Sequence, residues 1–321
     1  MATLVSAPRG RQRVAVVSHD AGGAEVLSAL VHQKGLAGQY VLQGPAKDIF
    51  ARKLGRLSLS SLEDAVGQAD WILCGASWQS DLEYQATQLA RSLKRHVVVF
   101  LDHWVNYVGR LVRGTDSLLP SELWVGDAMA AAMARAAFPR VPVKQGDNPY
   151  FLEIQAELAR VPLTVRPGSA PLRVLYVGEV IDEFSKTLSV TGDCSGPYGY
   201  TEEEALSYGL SHLEALGAPV EQVTIRPHPA EPEGKYLWVQ EKHRNLVRLG
   251  GTAPLLHEIV NCDVVLGCES MAMVVGLLAG KRVVSCVPPG GKPCVLPQPE
   301  IEHLQVLLSE ARCGKSVSLV R

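Results

Sequence analysis

Short runs of β-branched and aliphatic residues alternate with amphipathic stretches along the whole chain, and this alternation limits the fold more than any other feature. Strands separated by helices pair in parallel, so the pattern predicts parallel sheets covered by helices. The first run spans 14–17. It breaks at Ser18-His19-Asp20-Ala21-Gly22-Gly23, and a helical pattern begins at Ala24. Further runs fall at 40–42, 71–74, 97–101, 123–125 and 141–143, with helical patterns notably over 82–93 and 128–137. These strands make a whole Rossmann-like domain over residues 1–150.

Residues 151–171 change character. A helix is expected over 151–159, after which Pro162, Pro167, Gly168 and Pro171 crowd together. Proline fixes φ and removes a donor, so this stretch reads as a linker. A second alternation occupies 172–321. Strands are expected at 172–177, 223–225, 246–249, 264–266 and 283–286, and helices over 202–216, 255–261, 271–279 and 300–311. Thr201 and Glu204 form the capping-box pattern that opens the first of these helices. The expected fold class is therefore α/β: two Rossmann-like doubly wound domains facing each other across a cleft.

Composition excludes several function classes. Of the 321 residues, 47% are apolar and 20% charged, so the chain can build cores and is not disordered. Its 31 basic and 33 acidic residues leave a net charge of −2, which gives no general grip on nucleic acid. No stretch approaches the roughly 18 uninterrupted apolar residues of a membrane span, and the N-terminal segment is too short for a signal peptide. A soluble cytoplasmic protein is expected. Peripheral association at the inner face of the membrane stays open, although no clear basic or apolar face stands out. The seven cysteines are scattered and none forms C-x-x-C, so neither a disulfide framework nor a usual zinc site is expected. Cys74, Cys262, Cys268 and Cys286 read as buried small hydrophobes.

Open parallel sheets bind ligands at the carboxyl ends of their strands, where strand order reverses. If the first domain has the order 3-2-1-4-5, the segment after strand one (18–23) lies beside the segment after strand four (102–104). His19 and Asp20 then stand where a general base is useful, because a carboxylate there can take a proton from an attacking hydroxyl. Gly22 and Gly23 let backbone amides approach a ligand and start a helix, whose N-terminus favours an anion. Their spacing is not G-x-G-x-x-G, so no dinucleotide fingerprint is present. Asp102 and His103 can orient a ligand, and Trp104 or Tyr107 can supply a stacking face. Sequence-adjacent His19/Asp20 and Asp102/His103 make a poor ligand set, so no metal is expected.

The second domain carries the sharper pattern. In Arg226-Pro227-His228-Pro229 the prolines hold His228 in a fixed direction, from which it can donate to a phosphate oxygen. Arg226 can pair with a phosphate or with a carboxylate behind the sheet. Ser270 stands at the N-cap of a helix that opens at Met271, where a hydroxyl and free amides make an anion site. Glu269 can accept from ribose or sugar hydroxyls. Gly178 and Glu179, after the first strand of this domain, face the same place if that strand neighbours the one at 264–266. Three strand ends then converge, as a nucleotide-sugar site requires. The segment 191–200 is a lid or a solvated excursion, and the loop 288–293 lacks P-loop spacing.

The R-P-H-P turn and the Gly267-Cys268-Glu269-Ser270 segment resemble motifs of the GT-B superfamily of glycosyltransferases. The likeness is closest to bacterial capsule and lipooligosaccharide sialyltransferases and polysialyltransferases, with the glycerophosphotransferases of teichoic acid synthesis next. It covers roughly residues 172–290. The resemblance implies that His228-Pro229 and Ser270 hold the donor phosphate and that an acidic residue of the first domain is the base, here Asp20 with Asp102 in reserve. Where those sialyltransferases often have paired hydroxyl residues, this chain has Glu269-Ser270. The expectation is a metal-independent transferase that moves a sugar from a nucleotide-activated donor to a glycan or lipid-linked acceptor in surface polysaccharide synthesis. No cofactor is expected, since the nucleotide-sugar enters as substrate. A nucleotide-sugar 2-epimerase or hydrolase of the same fold and a non-catalytic binding module are the alternatives. Nucleotide base, sugar, acceptor, anomeric outcome and oligomeric state are left open.

Overall fold

The computed structural model describes residues 13–77, 80–113, 118–164, 166–181 and 198–318, with side chains described up to residue 312. By its contacts the chain forms two compact units, 1–153 and 154–321.

The first unit is built on six parallel strands in the order β2-β1-β3-β4-β5-β6. These are β1 (Val14–Ser18), β2 (Gly38–Leu42), β3 (Trp71–Cys74), β4 (His96–Leu101), β5 (Glu122–Val125) and β6 (Val143–Gln145). The crossovers carry α1 (Ala21–Lys34), α2 (Ala46–Leu54), α3 (Leu62–Gln68), α4 (Leu82–Ser92), α5 (Tyr107–Leu111) and α6 (Ala128–Ala137), and α7 (Pro149–Leu158) follows β6. All five residues of β1 are buried, as expected of a strand covered on both faces. Val16, Leu27, Phe50, Leu73, Phe100 and Trp124 form the core on one side of the sheet.

The neighbour of β1 is β3, not the 97–101 strand expected there. The physical reason is a strand reduced to one residue. Leu59 makes an isolated parallel bridge to Tyr40, outside β2, where the third strand of a 3-2-1-4-5 order belongs. Counting that bridge moves Trp71–Cys74 to fourth place. The switch point therefore lies between β1 and β3, and β4 stands one strand further out.

The second unit holds six parallel strands in the order β12-β11-β10-β7-β8-β9. They are β7 (Leu172–Val177), β8 (Val220–Arg226), β9 (Val247–Leu249), β10 (Val264–Gly267), β11 (Arg282–Ser285) and β12 (Ile301–His303). Its helices are α8 (Glu202–Ser211), α9 (Leu237–Lys242), α10 (Leu255–Val260), α11 (Met271–Leu278) and α12 (Leu304–Ser318). Here β7 does neighbour β10. The capping box forms: Glu204 N donates to Thr201 Oγ1 at 3.2 Å, and Thr201 N donates to the Glu204 carboxylate at 2.8 Å. The expected 202–216 helix breaks at His212 into a 3-10 turn, Leu213–Leu216. The expected 300–311 helix starts later, because Ile301 is buried in edge strand β12 beside β11. Tyr176, Leu206, Val223, Ile225, Tyr236 and Leu266 fill the core.

Cys74, Cys262, Cys268 and Cys286 are buried free thiols, and burial pushes Cys262 up to about 12. Among the described residues, no helix is long and apolar enough to cross a membrane. Phe50 is fully buried, so Phe50→Ala should cost about 3–5 kcal/mol, lowering the urea midpoint of the first unit. A midpoint unchanged within error would mean that this core collapses around the cavity.

Candidate functional site

In the first unit, β1 ends at Ser18 and α1 begins at Ala21, earlier than the helical pattern suggested. Gly22 and Gly23 therefore lie in its first turn. Asp20 is the N-cap by backbone geometry, yet its side chain makes no cap bond. Asp20 Oδ1 instead accepts from His19 Nδ1 at 2.8 Å and from Ser77 Oγ at 2.7 Å. A carboxylate can only accept, so the neutral His19 ring carries its proton on Nδ1 and its lone pair on Nε2. His19 N donates to Glu83 Oε1 at 2.7 Å.

Although β4 is not adjacent to β1, Asp102 still reaches the first loop. It packs directly against Gly22, where any side chain would collide with its carboxylate. Arg110 Nη1 donates to Ala76 O at 2.7 Å and lies 3.4 Å from Asp102 Oδ1. Burial raises the Asp102 carboxyl, with Arg110 pulling the other way. Trp104 N donates to His103 Nδ1 at 3.0 Å, which assigns the His103 proton to Nε2. Burial, and then Arg110, push His103 down to about 4, so it stays neutral. Trp104 Nε1 donates to Asp127 Oδ2 at 2.8 Å, which fixes the indole against the sheet edge.

Glu83, on α4, is 5% exposed. Burial pushes it up to about 7, the His19 amide opposes this, and Asp20 adds to it. Its Oε2 and Arg110 Nε have no partner among the described residues, and both residues line one cavity of about 10 Å³.

In the second unit three strand ends meet. Gly178 N donates to Arg226 O at 2.8 Å. A methyl group on Gly178 would sit 2.6 Å from Glu231 Oε2 and 3.0 Å from His228 N, so only glycine fits. Glu179 Oε2 accepts from Glu269 N at 3.0 Å. Burial, then the neighbouring Glu269, push Glu179 up to about 7. Glu269 Oε2 accepts from Val295 N at 3.3 Å, and burial raises this carboxyl too. Ser270 is the N-cap of α11, with its Oγ accepting from Ala272 N at 3.3 Å, and Met271 is the first helical residue.

His228 is exposed. Its backbone N donates to Glu231 Oε2 at 2.7 Å, and its Nδ1 accepts from Ala230 N at 3.2 Å, which leaves the proton on Nε2, pointing away from the loop. Glu231 also accepts from Tyr236 Oη at 2.6 Å and pairs with Lys235 at 3.1 Å. Arg226 takes the second of its two expected roles. Its Nη1 donates to Glu258 Oε2 at 2.7 Å and to Ala253 O at 2.8 Å, so it braces the sheet edge. The 288–293 loop meets the chain at Tyr198, whose carbonyl accepts from Lys292 N at 2.8 Å. Of the segment expected to be a lid, residues 191–197 lie outside the described residues.

The sequence reading missed Ser77, Glu83 and Arg110 in the first unit, and Glu231, Lys235 and Tyr236 in the second. Glu231 had one visible signal, its place three residues after His228 in the same proline-bounded turn.

The raised carboxyls set a pH dependence. Glu83 and Glu179 ionise near 7 when folded and near 4.5 when unfolded. Between those values the folded state holds more protons, so stability falls as pH rises from about 4.5 to 7 and levels off above. Replacing either with glutamine should leave stability near pH 4 unchanged and raise it at pH 8, by on the order of 3 kcal/mol for a shift of this size. Urea titrations at both pH values check this. An equal effect at the two would show that ionisation is not involved.

No protein-family model and no curated protein matches the sequence. Solved structures do. A UDP-GlcNAc 2-epimerase from Methanocaldococcus jannaschii is similar with a TM-score of 0.53 at 10% identity, over 94% of this chain and 92% of that one. A structure described as a putative UDP-N-acetylglucosamine 2-epimerase from Listeria monocytogenes follows at 0.52 and 10%, over 85% and 79%. Os79 from O. sativa in complex with UDP scores 0.48 at 13% identity, over 90% and 82%. The likeness is one of fold: this chain is an α/β protein of two Rossmann-like, doubly wound units of the GT-B type.

Proposed function

We propose that the chain transfers a sugar from a nucleotide-activated donor to a glycan or lipid-linked acceptor. The observation that carries this reading is the convergence in the second unit of Gly178–Glu179, His228 and Glu269–Ser270 at the ends of three adjacent strands. Strands lie about 4.8 Å apart, so β8 and β10 flank β7 with roughly 10 Å between them, a span that suits a nucleotide's phosphates. The amides opening α11 and the Ser270 hydroxyl hold the phosphate, and His228 Nε2–H meets the charge that grows on it. Glu179 and Glu269 take hydroxyls of the ribose or sugar. Arg226 holds the loop and does not touch the donor.

In the first unit the hydrogen bonding refines the expected role of Asp20. It keeps the His19 proton on Nδ1, so His19 Nε2 takes the proton of the acceptor hydroxyl while Asp20 stabilises the imidazolium. The hydroxyl oxygen bonds the anomeric carbon, the bond from that carbon to the phosphate oxygen breaks, and the nucleotide leaves with the electron pair. Asp102, buried against Gly22 and beside Arg110, is the poorer base. His103 and the amides of Gly22 and Gly23 orient the acceptor.

A thermal-shift panel of CMP, CDP, UDP and GDP with their sugar conjugates identifies the donor, since a ligand of the folded form raises its melting temperature. His228→Ala should keep the fold and lose roughly 10²–10³ in turnover, and Ser270→Ala should weaken donor binding. Parental turnover in folded His228→Ala removes that residue from the mechanism. Donor consumed without any acceptor supports the epimerase or hydrolase alternative, and donor bound but never consumed supports a binding module.

A further inference from the structure

The edge of the first sheet opposite Asp20 carries a second collection of polar groups. At the N-terminal ends of β4 and β5, an open surface pocket of about 390 Å³ is lined by Arg91, Lys94, Arg95, His96 and Ser121. Among the described residues, no carboxylate lines it. Among the described residues, Arg91, Lys94 and Arg95 form no ion pair. Glu122 is already shared between Lys144 at 2.8 Å and His96 at 3.4 Å. Arg95 is anchored by Nη2 donating to Gly67 O at 3.3 Å, while its Nε is buried and has no acceptor among the described residues. Lys94 is held at φ 55°, a left-handed conformation rare for lysine, by a turn closed by Arg95 N donating to Ala90 O at 2.8 Å. Ser121 Oγ accepts from Val97 N at 3.1 Å, which leaves its own proton to donate. Arg91, in the last turn of α4, suits the helix dipole. The dipole does not account for the serine, whose hydroxyl proton is free to donate beside the cations.

We propose that this pocket binds a phosphate-bearing anion. A guanidinium, an ammonium and a hydroxyl, all donors with no acceptor charge among them, form the set that phosphate oxygens require. The site is separate from the strand ends described above: β4 has six residues, which at about 3.3 Å each put some 20 Å between its two edges. It does not rest on the transferase reading and is tested without turnover. The phosphate arrives free or on a lipid headgroup. Leu93, 46% exposed between Arg91 and Lys94, adds an apolar contact suited to the second.

The test compares the full chain with Arg91→Gln/Lys94→Asn, both at exposed positions, the asparagine chosen because it tolerates the left-handed backbone. Two probes are used: inorganic pyrophosphate by calorimetry, and co-sedimentation with phosphatidylcholine vesicles containing or lacking phosphatidylglycerol. The parent should bind at least one probe, more weakly as salt rises, and the double variant should lose about tenfold or more at an unchanged melting temperature. Binding to anionic vesicles alone assigns a headgroup, and binding to pyrophosphate alone assigns a free phosphate. The proposal is overturned if the parent binds neither probe, or if its only binding survives intact in the double variant.

Discussion

A parallel strand cannot return to its neighbour by a hairpin, so each crossover runs back over a face and each strand delivers its carboxyl end to the same edge. In both units of this chain that constraint decides where chemistry can occur. At β1 and β7 the order reverses, and consecutive crossovers leave in opposite directions. The loops there part instead of covering one another. Ser18–Asp20 meets Gly75–Ser77 in one unit, and Gly178–Glu179 meets Glu269–Ser270 in the other.

Parting loops leave backbone amides beyond the last ladder bond, and the two units meet this in the same way. Glu83 accepts from His19 N, Glu179 from Glu269 N, Glu231 from His228 N, and Glu202 from Ile181 N at 2.7 Å. Four buried or half-buried glutamates each hold an amide just past a strand end. Bonds to a charged acceptor are worth about 1.5–3 kcal/mol, enough to offset part of the cost of burying a carboxylate. The remainder of that cost shows as the upward shift of Glu83 and Glu179. Holding a loop amide is one task of each of these carboxyls, and the burial that comes with it raises Glu83 and Glu179.

The alternation of strands and helices was readable because the central strands β1, β3, β4 and β10 are buried, nearly continuous apolar runs. What escaped reading was short or long-range. Leu59 contributes one bridge, too little to leave a pattern, yet it shifts every later strand by one place in the expected order. Strand β12 has three residues with glutamates beside it, which read as the start of a helix. In the second unit the R-P-H-P turn and the Glu269–Ser270 cap follow from local geometry, so their positions were legible. Glu83 lies 64 residues from the amide it holds. Ser77 lies 57 from Asp20. No local pattern reports such pairs.

Arg226 and His228 show how the scaffold assigns roles within one turn. They are two residues apart, and sequence alone offered both as phosphate ligands. Arg226 is the last residue of β8, and its guanidinium finds the Glu258 carboxylate, which also accepts from Gly251 N at 2.7 Å. A guanidinium so paired has little to gain from an exposed anion, because moving there would leave the half-buried Glu258 carboxylate without its cation. Two residues on, Pro227 has ended the ladder, and Ala230 N and Glu231 fix the histidine from behind. Only Nε2–H is left to face outward. On the proposed reading, a phosphate arriving there also brings negative charge toward Glu179 and Glu269, whose carboxyls are already raised. Glu179, which burial pushes up to about 7, would then hold its proton more firmly, and donor binding near neutral pH would draw a proton from solution in step with the anion.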